Sequence, residues 1–430
     1  MDFFDIAAVV AALTALFAYL NQRLWRLPAG TGILALSLAG SLSLLGLNAL
    51  RPGWGLQATA ANFLGQVDFT AALLHGLLCF LLFAGALQVD FERLRANRGT
   101  VLTLATVAVL ISTALIGLVA HVIFACLGFA LPLVTCFVLG ALISPTDPIA
   151  VLALLKRLRA PADLNAQIAG ESLFNDGVGV VVFFALASLA GLSGGANGPE
   201  LTLSPVGVAS FFLLEVGGGV LLGLLFGGLA FLALRSIDDH GVELLITLAM
   251  VMLMYSISFP LGVSGPIAVV VAGLVIGSHG RRLAMSMDTA DHIDAFWNMT
   301  DEILNAALFL LLGLQVLVIH WEARLLAAGL LLIPTVLAAR WLSVALPIVL
   351  LRRGHSFPRG IIAILTWGGL RGSLSVAMVL SLPAFPRRDL LVGCTYLVML
   401  FSVLVQGTTM RRLLTFYGIG MDEGPPAKKN

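Results

Sequence analysis

Gly170-Glu171-Ser172-Leu173-Phe174-Asn175-Asp176-Gly177 sets two carboxylates, a hydroxyl and a carboxamide inside a long apolar run. A charge at the centre of a membrane helix costs roughly 2.5–3.5 kcal/mol on insertion scales. Ionisable side chains at that depth bind an ion, pass a proton or pair with one another. At helical spacing Ser172 and Asp176 share one face, and Glu171 and Asn175 share the adjoining face.

The rest of the chain is of the same apolar kind. Hydrophobic residues make up 59% and charged residues 11% of 430, against about 25% charged in a soluble domain. This composition indicates a polytopic membrane protein and excludes an ordinary soluble one. A net charge of +1 gives no reason to expect a nucleic-acid partner. Cys79, Cys126, Cys136 and Cys394 lie in apolar runs without a metal-ligand spacing, and His75, His121, His279, His292 and His320 are likewise scattered. No cofactor is expected. The start of the chain lacks the basic region of a cleaved signal peptide and reads as a retained first span.

Runs of about 18 or more apolar residues mark membrane helices. Thirteen are expected, near 3–20, 29–50, 70–89, 101–124, 132–156, 163–190, 205–234, 241–259, 263–279, 294–318, 323–350, 358–381 and 388–413. Of the 24 basic residues, 18 fall in alternate loops or the tail, four lie on the opposite side, and Arg340 and Arg371 lie inside runs. The positive-inside rule makes the richer side cytoplasmic. The N-terminus is then outside and the C-terminus inside, which requires an odd number of spans. Residues 1–416 read as one transmembrane domain, and 417–430 as a short cytoplasmic tail with no folded regulatory domain.

Two runs are interrupted. The fifth carries Ser144-Pro145-Thr146-Asp147-Pro148, where two prolines remove amide donors. The twelfth carries Trp367-Gly368-Gly369-Leu370-Arg371-Gly372. With the first helix (3–20) set aside as extra, each break falls fourth in a group of six. Matched discontinuous helices point to a secondary transporter with inverted repeats, here about 29–234 and 241–413.

An unwound segment frees backbone carbonyls for cations, so Thr146 and Asp147 are expected to converge with Ser172 and Asp176. Arg371, the basic residue among these acids, is expected to pair with Glu171, leaving Asp147 and Asp176 to act. Arg340 is expected near a helix end, snorkelling. Glu215 reads first as a packing contact, with a second intramembrane site as the alternative. It precedes Gly219, Gly223 and Gly227, a small-residue stripe for close helix packing. Gly262-Val263-Ser264-Gly265 with His279 is a faint serine-dyad pattern.

Three motifs in order, Thr146-Asp147-Pro148, the Glu171-to-Gly177 string and Gly369-Leu370-Arg371-Gly372, resemble those of NhaP/NHE-like monovalent cation/proton antiporters. Phe83-Ala84-Gly85-Ala86-Leu87 with Asp90, Leu94 and Arg95 is similar to that family's third-helix segment, and Val405-Gln406-Gly407-Thr408 to its last. The resemblance implies a homodimer of 13-helix protomers in a plasma membrane of the prokaryotic inner-membrane type. Each protomer would have core and dimerisation domains, with elevator-like motion of the core. It implies that Asp176 is the carboxylate shared by H⁺ and cation, that Asn175 marks the electroneutral branch, and that one Na⁺ (or Li⁺) exchanges for one H⁺. Thr146, Asp147 and Ser172 map onto ligands of the transported Na⁺ alongside Asp176, and Glu171 and Arg371 onto a structural ion pair. Many members of the family carry glutamate where this chain has Ala84. K⁺/H⁺ exchange in the same fold is the alternative, because both cations use oxygen ligands.

Overall fold

The computed structural model describes residues 3–51, 62, 76–148, 151–152, 154–155, 158, 160–192, 205–280, 284–351 and 360–419. His75, the basic-loop residues Lys156, Arg157, Arg159, Arg281, Arg282, Arg352, Arg353 and Arg359, and the tail from 420 onward lie outside the described residues.

All regular structure among the described residues is helical. The helices are α1 Phe3–Leu24, α2 Ala29–Leu50, α3 Leu78–Leu87, α4 Phe91–Ala96, α5 Arg98–Cys126, α6 Leu133–Ile143, α7 Ala162–Leu189 and α8 Pro205–Arg235. There follow α9 His240–Ser258, α10 Gly265–Val275, α11 Met287–Leu314, α12 Ala323–Leu351, α13 Ile361–Gly368, α14 Ser373–Ser381 and α15 Arg388–Phe416. Nine of the described helices are long and apolar enough to cross a membrane: α1, α2, α5, α7, α8, α9, α11, α12 and α15. In a bilayer every backbone polar group needs an internal partner, which helices provide.

The sequence boundaries shift where apolarity and helicity part company. Helix α11 begins at Met287 rather than near 294, because Ser286 caps it by accepting from the Thr289 amide at 3.3 Å. Its first turns carry Asp288, Asp291 and Asp294, so the helix starts before its apolar stretch does. Helices α9 and α10 are separate, joined by a turn in which Gly262 adopts φ +63°.

The helices pack chiefly within two sets. In one, α2 lies between α1 and α11, α3 joins α11 to α10, and α8, α9 and α10 pack mutually. In the other, α6 lies between α5 and α7, and α12 joins α5, α13 and α15. The sets meet where α7 touches α3, α8 and α10, and where α14 touches α11. The Gly219–Gly223–Gly227 stripe does what its spacing suggests. A Cβ at Gly219 would lie 2.7 Å from the Ser264 carbonyl oxygen, and one at Gly227 3.1 Å from the Ala272 Cα, so α8 and α10 touch backbone to backbone.

Candidate functional site

The two predicted breaks are present, and they cross. Helix α6 stops at Ile143 and leaves Ser144–Pro148 unwound; α13 stops at Gly368, and α14 restarts at Ser373. The Asp147 amide donates to the Leu370 carbonyl at 2.8 Å, so the unwound strands pair as an isolated antiparallel bridge. Close approach is possible because one strand is glycine-rich. A Cβ on Gly372 would collide with the Asp147 side chain, 2.7 Å from its Cβ and 2.9 Å from its Cγ. One on Gly369 would come within 2.7 Å of Arg340 Nε.

Helix α7 grips the first break through its motif. The Asn175 carboxamide makes two bonds to Thr146, accepting from its amide at 3.2 Å and donating to its hydroxyl at 2.7 Å. Ser172 Oγ donates to the Thr146 carbonyl oxygen. Ser172 and Asn175 therefore both meet Thr146, and Asp147 follows it in the chain. Asn175 is fully buried, and its fixed amide orients the Thr146 peptide. Asp176 follows on the same turn, half-buried and close enough to Asp147 for their charges to repel. Among the described residues no donor bonds to the Asp176 carboxylate.

The expected Glu171–Arg371 pair is not formed. Glu171 Oε1 lies 2.5 Å from Arg340 Nη2, with both side chains under 5% exposed. Arg340 also donates to the Leu365 carbonyl oxygen at 3.2 Å, at the last turn of α13. The snorkelling expected of Arg340 fails for a geometric reason. Arg340 is eleven residues from the end of α12 at Leu351, or about 16 Å at 1.5 Å per residue, beyond the reach of its side chain. That depth is legible in the sequence and was the signal for a buried partner.

Arg371 answers a different need. Its Nη1 donates to the carbonyl oxygens of Ser144 and of Pro145, the latter at 2.9 Å. In a continuous helix the Ser144 carbonyl would accept from the amide of residue 148, but Pro148 has none. The guanidinium supplies that missing donor from the opposite break. The Arg371 amide is in turn bound by Ser402 Oγ at 2.8 Å. Ser402 and Gln406 bound a π-turn in α15; Ser402 donates to Gln406 Oε1 at 2.7 Å, and Gln406 Nε2 donates to the Trp367 carbonyl at 3.2 Å. Ser402 is a site residue that sequence reading missed, and its neighbour Gln406 was singled out without a role.

Further out, Ala84 is buried on α3, one residue from Gly85, whose missing side chain would face Leu173 of the α7 motif at 3.9 Å. Asp90 caps α4 and also pairs with Arg93 at 3.1 Å, and Arg93 pairs with Asp163 at the start of α7 at 2.9 Å. The Asp163 hydrogen bond raises the basicity of the exposed Arg93. Ser264 caps α10 through the Ile267 amide, and His279 lies fifteen residues further along the same helical stretch, about 22 Å away. That separation rules out the serine-dyad reading.

The chain resembles known transporters along nearly its whole length. A family model described as "Sodium/hydrogen exchanger, transmembrane" matches residues 10–416. The Na(+)/H(+) antiporter NhaP of Pseudomonas aeruginosa is 43% identical over 415 residues, covering 95% of this chain and 96% of that protein. The Na(+)/H(+) antiporter NhaH of Halobacillus dabanensis is 36% identical over 367 residues, covering 84% and 87%. The fold is similar to that of the sodium proton antiporter MjNhaP1 from Methanocaldococcus jannaschii, with TM-score 0.70, 21% identity, and coverage of 96% and 97%. With two breaks paired at Asp147 and Leu370, the first of them clasped by the α7 motif, and a match from residue 10 to residue 416, this chain belongs to the transmembrane sodium/hydrogen exchanger family.

Proposed function

We propose that this protein is a secondary-active antiporter that exchanges one Na⁺ or Li⁺ for one H⁺, with both ions competing for the Asp176 carboxylate. The observation that carries the reading is the state of Asp176. It is a half-buried carboxylate, unbonded among the described residues, beside Asp147 at the crossing of two unwound helices.

The chemistry follows from charge. Two neighbouring carboxylates repel, and a proton or a cation on Asp176 relieves that repulsion. Asp147 and the oxygens of Thr146 and Ser172 complete a hard-oxygen set for the transported cation. In this conformation Ser172 donates its hydroxyl hydrogen to Thr146, which leaves its oxygen lone pairs for a cation. The loaded site carries one charge fewer than the empty one. An empty, charged site would face a membrane cost of roughly 2.5–3.5 kcal/mol or more, which suppresses uncoupled leak. Glu171 and Arg340 cancel each other, and Asn175 is neutral where a second aspartate would add a charge, so the balance is one for one.

The wider architecture we propose has thirteen spans with the N-terminus outside and the C-terminus cytoplasmic. The repeats are 29–234 and 241–413, α1 is additional, and the location is the plasma membrane of a prokaryotic cell. This is supported by the bias of basic residues and by the matched breaks. The set containing α5–α7 and α12–α15 would be the moving core, and the other set the scaffold and dimer surface of a homodimer.

The test is proton flux in proteoliposomes, read with a pH-sensitive dye under imposed Na⁺, Li⁺ or K⁺ gradients. Wild type should respond to Na⁺ and Li⁺, independently of a valinomycin-clamped voltage, and Asp176→Asn should insert normally and lose the response. Flux with K⁺ alone would reassign the chain to K⁺/H⁺ exchange. Full flux in Asp176→Asn would overturn the mechanism.

A further inference from the structure

We propose that Glu215 is a second ion-handling carboxylate, which receives H⁺ or hydrated Na⁺ at the face where α8 begins and relays it to Asp176. The inference rests on the antiporter reading above.

Three observations support it. First, Glu215 is an acidic side chain within α8, in a stretch flanked by Leu213, Leu214 and Val216. A lone membrane carboxylate is costly unless it has a task or a partner. Its carboxylate has no hydrogen-bond or ion-pair partner among the described residues; only its backbone carbonyl is engaged, accepting from the Ser264 amide at 3.1 Å. It is half-buried rather than sealed, so a packing role leaves the acid unexplained.

Second, Glu215 lies on the packed face of α8. It is one turn before Gly219, and Gly219 is buried against α10. The preceding residues Phe212, Leu213 and Leu214 are exposed, on the faces turned outward.

Third, one side chain links this level to the site. Ile267 of α10 sits 2.8 Å from where a Gly177 Cβ would be and 3.2 Å from where a Gly219 Cβ would be. Gly177 is the residue after Asp176, and Gly219 is one turn from Glu215. Measured along the helix axes, Glu215 is therefore about 7 Å from the Asp176 level, at the seam between the two helix sets. The displacement is toward the C-terminal end of α7 and the start of α8. By the basic-residue bias this is the outer face. Among the described residues, the titratable groups along this seam include Asp176 on α7, Tyr255 on α9, whose ring lies 2.9 Å from a Gly265 Cβ position, and Cys79 on α3 near Tyr255.

The sequence favoured a packing contact for Glu215; packing alone would be satisfied by glutamine or leucine. An ion relay needs the ionised oxygen, and that difference is testable. Glu215→Gln keeps size and hydrogen bonding and removes the charge, while Glu215→Leu supplies an apolar packing control. Both are assayed in the full-length protein, in right-side-out and inside-out membrane vesicles, with heat-challenge stability as the folding readout. The relay predicts that both variants keep wild-type stability and raise the apparent KM for Na⁺ at the outer face by about fivefold, the lower end of typical site–site coupling. The KM at the inner face should not change. Unchanged kinetics at both faces, or an equal change at both, would overturn the relay. Loss of stability in Leu but not Gln, with Gln kinetics normal, would return Glu215 to packing. Absence of exchange in wild type would refute the antiporter reading itself, a result distinct from any of these.

Discussion

Replacing Arg340 by methionine should damage this protein more by stranding Glu171 than by removing a positive charge. The two side chains are about 4% and 3% exposed and lie 2.5 Å apart, so neither has bulk water to fall back on. Breaking a buried pair by removing one partner costs about 3–5 kcal/mol. At about 1.4 kcal/mol per tenfold, that is roughly two to three and a half powers of ten in the folded population. Glu171→Gln in the same background removes the stranded charge and should recover most of the loss, since uncharged replacement of both partners is often near neutral. Arg371→Met should behave differently. Its guanidinium serves the carbonyls of Ser144 and Pro145, so Glu171→Gln should not rescue it. The assay is the midpoint of a timed heat challenge on detergent-solubilised protein, followed by size-exclusion fluorescence, for the four members of each double-mutant cycle. Rescue of Arg371→Met but not of Arg340→Met by Glu171→Gln would refute the pairing argued here and restore the one first expected from sequence.

Two further outcomes follow from the geometry of the crossing. Gly372→Ala should sharply reduce exchange, because the added Cβ meets the Asp147 side chain; such overpacking costs about 1–3 kcal/mol, and wild-type flux in this variant would show that the strands are not held this close. If H⁺ and Na⁺ compete for Asp176, the apparent KM for Na⁺ should rise as pH falls, reaching about tenfold per pH unit once the carboxylate is mostly protonated. The sign follows from mass action, since a proton bound to Asp176 must leave before Na⁺ binds. A KM independent of pH across the active range would argue for separate sites.

The membrane class, the helical content and the position of both breaks were legible in the sequence, because each is dictated locally. A bilayer admits only apolar runs, and a proline cannot donate an amide wherever the chain later goes. The same holds for the face shared by Ser172 and Asp176, which helical spacing fixes. The partners of buried charges were not legible in this way. Glu171 had two arginines available to it, and Arg371, the one lying among the motif residues, was the one expected. The choice fell to Arg340 because α12 packs against α13 and brings Arg340 to Glu171 and the Leu365 carbonyl, an arrangement set by tertiary packing. Once Pro148 had left the Ser144 carbonyl without a donor, Arg371 was needed there. Ser402 was invisible for the same reason, since its role depends on a π-turn in α15 meeting the break after α13. The sequence by itself thus determined which groups enter the membrane and where the backbone opens. The tertiary structure decided which charge answers which, because desolvation makes pairing obligatory and only the crossing of the helices selects the partner.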